Sequence, residues 1–260
     1  RLEDIEEVFT KNTRAVLMVH TYGLVAEGTK ISKFCEENNL ILIEDAAEAH
    51  GQVENNKKCG SFGLISTLSF YANKHITTGE GGMVLTNSEE YEKILKQMRN
   101  LDFTAEKRFQ HDNFYWNYRL GGLQAALGIS QLNNIEKNIQ FKINQGSYYL
   151  ELFEEIRDDI QLPMKENART KNHFWVFGLV LKNNINRDNL QKKLSNKGIE
   201  TRPFFWPLHL QKALNSTQRL QNLNTSERIG KNGFYIPMGK HVKKSDQQMI
   251  VNEIKNLIHS

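Results

Sequence analysis

Residues 41–51 read Ile41-Leu42-Ile43-Glu44-Asp45-Ala46-Ala47-Glu48-Ala49-His50-Gly51. A short apolar run that ends in acids is typical of a buried β-strand, and Asp45 then stands at its carboxyl end. Ligands of open α/β sheets bind outside the carboxyl ends of the strands, so an acid there is a candidate functional residue. Asp is also a common N-cap of helices, and the pattern alone leaves both interpretations open.

The segments around this run predict a parallel sheet. Residues 14–19 form a second apolar run, and residues 29–38 between the two runs have the spacing of an amphipathic helix. Strand, helix and strand in this order form a βαβ unit. Residues 64–71 are a further strand candidate, and residues 83–85 predict another strand after a Gly-rich turn. Ser88 is expected to cap the next helix.

The second half of the chain predicts a long helix and a smaller α+β unit. Apolar residues at helical spacing run from Leu123 to Ile139 and can be followed to Phe153, which indicates one connecting helix. We therefore expect a first domain over residues 1–140, and the connecting helix with a small C-terminal domain over residues 141–260. The small domain should contain strands at 174–181 and 199–204, a helix through Leu190 and Leu194, and a last helix opened by a Ser245–Gln248 capping box.

Composition excludes several classes of function. The net charge of +4 over 260 residues is mild and does not support nucleic-acid binding, which requires basic charge clustered on one face. The longest apolar run has eight residues, whereas a membrane span needs about 20. The two cysteines form no CxxC motif, which excludes a disulfide framework and a zinc ribbon and fits a reducing cytosol. No cluster has metal-ligand spacing, so we expect no metal site.

Lys74 is the second candidate functional residue. It follows a predicted strand and precedes a Gly-rich turn. A desolvated lysine has a lowered pKa and becomes nucleophilic, which suits Schiff-base chemistry. The ordinary alternative is an exposed loop lysine, since most lysines are exposed.

Asp45 and Lys74 together indicate pyridoxal 5'-phosphate (PLP) as a cofactor. The lysine would hold the cofactor covalently, and the acid would keep the pyridine nitrogen protonated so that the ring can accept electrons. Ser69 could bind the phosphate. The glycines after Lys74 match no dinucleotide or P-loop fingerprint, which favours a tight turn over a phosphate cradle. The spacing of Asp45 and Lys74 in the sequence does not by itself establish that they bind a cofactor together.

The chain resembles the DegT/DnrJ/EryC1/StrS family of sugar aminotransferases over nearly its whole length. The motifs that carry the resemblance are Asp45-Ala46-Ala47-Glu48-Ala49-His50-Gly51, residues 69–82 with Thr77-Thr78-Gly79-Glu80-Gly81-Gly82, Asn117-Tyr118-Arg119-Leu120 with Leu123-Gln124-Ala125-Ala126, and Arg202-Pro203 through His209. The first two look most like members that aminate a GDP-linked 4-keto-6-deoxy sugar. The resemblance implies an α/β fold of the aspartate-aminotransferase type, PLP-dependent transferase fold type I. Residues 1–140 would then be the C-terminal part of the large PLP-binding domain.

The resemblance also implies residue roles. Lys74 matches the lysine that bonds to the cofactor and moves the proton during transamination. Asp45 matches the partner of the pyridine nitrogen, and Ser69 matches a phosphate ligand. Glu48 stands where many members have Gln near the 3'-oxygen of the cofactor. Asn117 matches a residue that reaches the phosphate of the neighbouring subunit's cofactor, which implies a homodimer with shared active sites.

The implied substrates are a nucleotide-linked keto sugar and an amino-acid donor, with glutamate expected, in a cytoplasmic enzyme of polysaccharide (O-antigen) biosynthesis. Arg202 could contact a carboxylate or diphosphate, and His209 could line the sugar-nucleotide pocket. A structural ion pair for Arg202 and a satisfied loop histidine for His209 are the alternatives.

Family members usually have a longer N-terminal part, with a phosphate-binding Gly-Thr-x-Ala loop and an aromatic residue that stacks on the pyridine ring. This chain starts at Arg1 without either, so we expect the C-terminal two-thirds of a member, with apolar surface exposed. One alternative is an inactive or binding-only fragment. Another is a PLP-dependent sugar 3-dehydratase, in which histidine replaces the lysine. The absent glycine fingerprint counts against a dinucleotide-binding oxidoreductase.

Overall fold

The computed structural model describes residues 1–182, 185–214 and 223–259, which divide into two compact units. The first unit comprises Arg1–Ile139 and Ala168–Trp175, and the second comprises Gln140–Asn167 and Val176–Ser260. The sequence placed a boundary at residue 140. It did not anticipate that Ala168–Trp175 returns to the first unit.

A four-stranded sheet forms the centre of the first unit. Its strands in chain order are β1 (Ala15–Val19), β2 (Ile41–Asp45), β5 (Ile65–Ser69) and β6 (Gly82–Thr86), and a hairpin of β3 (Val53–Glu54) and β4 (Lys57–Lys58) lies between β2 and β5 in the chain. The sheet order is β1-β2-β5-β6. The first three strands are parallel, as predicted, and β6 is antiparallel to β5. The loop from β5 to β6, which contains Lys74, therefore starts and ends at the sheet edge where Asp45 closes β2.

Helix α2 packs against one face of β1 and β2 in this sheet. The helices of the first unit are α1 (Leu2–Val8), α2 (Gly28–Glu37), α3 (Glu89–Arg99) and α4 (Gly122–Leu132), and α5 (Ile135–Leu152) continues into the second unit. Ile31 and Cys35 of α2 are buried in one cluster with Met18 and Leu42 of the sheet, which confirms the predicted apolar helix face. Ser88 caps α3 as predicted, because its side chain accepts a hydrogen bond from the Tyr91 N–H.

The opposite face of β1 and β2 carries exposed apolar side chains. Leu17 is 66% exposed, Val19 45% and Ile41 42%. They alternate with the buried Met18 and Leu42, as the two-residue period of a strand requires. The expectation of exposed apolar surface is confirmed here.

The predicted single helix from Leu123 to Ile139 is wrong, because the structure has two helices that meet at Asn133 and Asn134. The Asn134 side chain donates to the Ser130 carbonyl at 3.2 Å, and the Asn138 N–H donates to the Asn134 carbonyl at 3.1 Å. Asn side chains compete with the backbone for hydrogen bonds and so favour helix ends. The apolar stripe continues across the break, which is why periodicity concealed it.

The second unit is a small α+β unit with an antiparallel sheet in the order β7-β8-β10-β9. Its strands are β7 (Ile160–Gln161), β8 (Phe177–Leu181), β9 (Arg202–Pro203) and β10 (Gly233–Ile236), and its further helices are α6 (Arg187–Ser195), α7 (Asn224–Asn232) and α8 (Lys244–Ile258). Leu190 and Leu194 of α6 and Ile250 and Ile254 of α8 are buried, as their spacing predicted.

Three expected boundaries in the C-terminal half of the chain are wrong. The strand predicted from residue 174 begins at Phe177, because Phe174 has a φ of 50° and its N–H donates to the Asn172 side chain in a turn. The strand predicted over residues 199–204 is reduced to Arg202–Pro203 at the sheet edge, where a residue without an N–H is tolerated.

The predicted capping box at the last helix is also misplaced. Helix α8 begins one residue before Ser245, and the Lys243 N–H donates to the Asp246 carboxylate at 2.8 Å. Asp246 therefore accepts the capping hydrogen bond that the sequence assigned to Gln248, because a carboxylate accepts a stronger hydrogen bond than an amide.

Among the described residues, no helix combines the length and the apolar character that a membrane crossing requires. Cys35 and Cys59 are both free and buried.

Candidate active site

Asp45 lies at the carboxyl end of β2, in register with Thr67 of β5. Its Oδ1 accepts hydrogen bonds from the Ala47 N–H at 3.0 Å and the Thr67 hydroxyl at 3.4 Å. The segment that follows contains turns and no helix, so the interpretation of Asp45 as a helix N-cap is wrong. Ala46, with no exposed surface, and Ala47 leave this strand end free of bulky side chains.

Lys74 lies in the loop between β5 and β6, and only 9% of its side chain is exposed. The interpretation as an ordinary surface lysine is therefore wrong. Its Nζ is 3.7 Å from Oε1 of Glu48 and 4.1 Å from the centroid of the Trp175 ring. The structure thus brings together the lysine and one of the acids that the sequence selected.

Burial and charge act in opposite directions on this pair. Burial lowers the pKa of Lys74, and the carboxylates of Glu48 and Asp45 partly oppose that effect. Burial raises the pKa of Glu48, and the Lys74 ammonium and the Tyr22 N–H oppose it. Both shifts favour the neutral forms, so a proton can pass between amine and carboxyl at a smaller free-energy cost than between their exposed counterparts.

Tyr22 and Trp175 complete this cluster, and sequence reasoning missed both. The Tyr22 N–H donates to Oε2 of Glu48 at 2.6 Å, and the Tyr22 ring stacks on Trp175 with centroids 6.1 Å apart. The Trp175 Nε1–H donates to the Asn73 carbonyl at 3.1 Å. Trp175 lies inside the strand predicted over residues 174–181, so the sequence predicts it as a core residue. The available signal for Tyr22 was the Gly23 that follows it in a tight turn.

The structure places Ser69 at the end of a strand and Asn117 on the surface. Ser69 ends β5 opposite Gly82, and its hydroxyl accepts from the Tyr71 N–H at 3.2 Å. Asn117 is exposed, and its side-chain oxygen accepts from Nε of Arg119 at 2.9 Å. Their expected roles as phosphate ligands stay predictions.

Arg202 and His209 both belong to the second unit, and each is paired there. Arg202 forms an ion pair with Glu200, and 65% of its side chain is exposed. Nε2 of His209 lies 3.0 Å from Oε1 of Glu227. These pairs are the structural alternatives that the sequence left open. Contact of either residue with a substrate stays a prediction.

His20, Glu44 and Cys59 come from separate segments, yet their potential ligand atoms lie within 4.8 Å of one another. Nδ1 of His20 accepts from the Ala26 N–H, so Nε2 carries the proton that it donates to Glu44 Oε1 at 2.8 Å. The other oxygen, Oε2, accepts from the Phe62 N–H at 2.7 Å. With these bonds formed, the cluster acts as a hydrogen-bonded support for the end of β2.

Comparison with known proteins identifies the family of this chain. The sequence matches the DegT/DnrJ/EryC1/StrS aminotransferase family over residues 1–255. It is 35% identical, over 98% of its length, to GDP-perosamine synthase of Vibrio cholerae, and covers 69% of that protein. The GDP-perosamine synthase of Escherichia coli O157:H7 is 33% identical over 91% of this chain, which covers 63% of it. A crystal structure of a family aminotransferase from Brucella abortus matches all of this chain with a TM-score of 0.84 and 26% identity, and 68% of that chain is covered.

The family match and this α/β fold identify a PLP-dependent aminotransferase, and a lysine with only 9% of its side chain exposed, 3.7 Å from Glu48, fits that class. The chain belongs to the DegT/DnrJ/EryC1/StrS aminotransferase family, whose fold and cofactor the sequence predicted. It spans about two thirds of the length of the curated relatives that it matches.

Proposed function

We propose that this protein transfers an amino group from glutamate to the 4-keto group of a GDP-linked 6-deoxy sugar, a perosamine-type reaction of polysaccharide biosynthesis. The observation that carries the proposal is the buried Lys74 amine, 3.7 Å from Glu48 at the edge where Asp45 ends its strand. The likeness to two GDP-perosamine synthases supports the choice of sugar. The free buried cysteines support a reducing cytoplasmic location.

The residues present fit PLP because they combine a largely buried amine with an acid at the end of β2, Asp45, and a second acid close to the amine, Glu48. Lys74 would bond to the cofactor, Asp45 would pair with the pyridine N–H, and Ser69 would bind phosphate. When bound, PLP supplies a ring that delocalises the negative charge left on carbon by proton removal. The amine of Lys74 would move that proton, and burial lowers its pKa below the ordinary value of a lysine.

Glu48 stands where many members have Gln, and a carboxylate beside the 3'-oxygen of the cofactor would be repelled. Burial raises the pKa of Glu48, which makes its protonation easier, and a protonated Glu48 could donate a hydrogen bond as Gln does. The Tyr22 N–H, at 2.6 Å from Oε2, fixes the orientation of this carboxyl group.

We further propose a homodimer in which Asn117 reaches the phosphate site of the partner subunit. Asn117 is exposed, and the nearby helix α4 exposes Leu123 (89%), Ile129 (62%) and Leu132 (55%). Apolar surface of this kind is typical of a protein interface. Arg202 would bind an anionic group of a substrate, and His209 would line the sugar-nucleotide pocket.

The proposal is tested with purified protein, PLP, glutamate and GDP-4-keto-6-deoxymannose, with the product identified by mass spectrometry. We expect a 4-amino sugar from the wild type and none from Lys74→Ala, with Lys58→Ala, an exposed lysine of β4, as the matched control. Borohydride reduction should attach PLP to the peptide that contains Lys74. Transamination by a folded Lys74→Ala protein would refute the assigned role.

A sugar 3-dehydratase is the second candidate because the family contains such enzymes. Their lysine position carries histidine, whereas this chain has Lys74. The same assay separates the two, since a dehydratase yields a deoxygenated keto sugar and an aminotransferase yields an amino sugar.

A further inference from the structure

The Lys74 amine lies against an aromatic surface that the proposed reaction does not account for. Its Nζ is 4.1 Å from the centroid of the Trp175 ring, and Trp175 is only 4% exposed. A cation over an indole face is attracted by the ring quadrupole, and the attraction increases when water is excluded. The indole is therefore positioned to stabilise the ammonium form of a lysine that burial otherwise disfavours.

Two contacts fix the orientation of this indole. The Trp175 Nε1–H donates to the carbonyl of Asn73, the residue just before Lys74, at 3.1 Å. The Tyr22 ring stacks on Trp175 at 6.1 Å with an interplanar angle of 20°. The same Tyr22 holds Glu48 through its backbone N–H. Indole and carboxyl thus approach the amine as parts of one hydrogen-bonded and stacked assembly.

We infer that Trp175 is a positioning residue for Lys74: its indole face holds the free amine beside Glu48 and stabilises the ammonium form, so that both protonation states stay accessible. The inference rests on the proposed role of Lys74. That role requires a neutral amine to attack and an ammonium to return a proton, so the site must keep both forms accessible. Burial favours the neutral form, whereas Trp175, Glu48 and Asp45 favour the charged form. The buried His50 also interacts electrostatically with Lys74, and burial together with Lys74 lowers its pKa to about 4, which keeps the imidazole neutral at pH 7.

The test measures the pKa of Lys74 in the cofactor-free chain by competitive acetylation across pH, with the Lys74 peptide quantified by mass spectrometry. Trp175→Leu removes the π face and retains an apolar side chain. We expect the pKa of Lys74 to fall by about one unit, the size of a desolvated cation–π contact. Trp116→Leu is the matched control, since Trp116 is 68% exposed, and should leave the Lys74 pKa unchanged.

A folded Trp175→Leu chain with an unchanged Lys74 pKa would overturn the inference. If that variant does not fold, Trp175→Phe decides, because it keeps a weaker ring face and loses the Nε1–H. We then expect a fall of about half a unit, and an unchanged pKa overturns the inference. No cofactor or sugar is present in this measurement, so a failed sugar assay and a failed labelling test remain distinguishable.

Discussion

At the residue scale, the buried and hydrogen-bonded carboxylate of Glu44 fixes the strand end that carries its neighbour Asp45. Burial alone would raise its pKa, but hydrogen bonds from His20, Gly60, Gly63 and Ser66 outweigh burial and lower it to about 2. A carboxylate with this many donors is strongly stabilised in its charged form. Because Glu44 immediately precedes Asp45, these bonds also fix the end of β2.

The lowered pKa predicts an acid-dependent loss of stability. A group whose folded pKa lies below its unfolded value stabilises the fold above the unfolded pKa, and this is lost as pH falls through the folded pKa. For Glu44 the window runs from the ordinary value of 4.5 down to about 2. Glu44→Gln should cost about 3 kcal/mol in the free energy of unfolding at pH 7, with the difference from wild type shrinking across that window.

Urea unfolding at a series of pH values measures this difference. Glu37→Gln is the control, because Glu37 forms an exposed ion pair with Lys33 and should change stability by less than about 0.5 kcal/mol. An equal cost of Glu44→Gln at pH 7 and at pH 3 would contradict the electrostatic explanation.

At the element scale, the turn after β1 positions the site through its backbone. Gly23 has a φ of 80°, and a Cβ there would lie 2.6 Å from the Glu48 carbonyl oxygen. Glycine is therefore required at this position for two reasons: the positive φ, and the close approach of the Glu48 carbonyl oxygen. The neighbouring Tyr22 also has a positive φ, of 58°, and its N–H then reaches the Glu48 carboxyl group.

Gly23→Ala is expected to destabilise the chain more than Gly79→Ala. Both glycines have a φ of 80°, but a Cβ at Gly79 meets nothing within 4 Å. The control should lose about 1 kcal/mol from backbone strain, and Gly23→Ala should lose that amount plus the cost of the clash. Thermal unfolding of both variants gives the comparison. Equal losses would mean that the close approach to Glu48 has no energetic consequence.

At the scale of the whole molecule, the uncovered face of β1 and β2 predicts self-association. Leu17 and Val19 are exposed apolar side chains on this face, and an exposed apolar patch favours association. The double variant Leu17→Thr with Val19→Thr should lower light scattering at high protein concentration and leave the unfolding midpoint nearly unchanged, since Thr suits an exposed strand position.

Leu42→Thr is the matched control on the buried face. Leu42 is 5% exposed, so its replacement should destabilise the chain by about 3 kcal/mol without reducing association. If the double variant scatters as strongly as the wild type, association involves another surface, such as the exposed side of α4.

The sequence by itself determined the features that depend on neighbouring residues. A short apolar run followed by acids located the end of β2 at Asp45, and the loop motif selected Lys74. Periodicity found the faces of α2, α6 and α8, because side-chain spacing repeats locally. It missed the helix break at Asn134, because the apolar stripe crosses the break without a change of period.

The tertiary structure alone decided what surrounds Lys74. Trp175 contacts the amine because Ala168–Trp175 belongs to the first unit, although the preceding Gln140–Asn167 belongs to the second. No local sequence pattern predicts this return of the chain to the first unit. The donors to Glu44 likewise come from three chain segments that meet only in the folded sheet. Composition and motif specify which groups can perform the chemistry, whereas burial and long-range contacts set their pKa values and orientation, since both depend on residues distant in the chain.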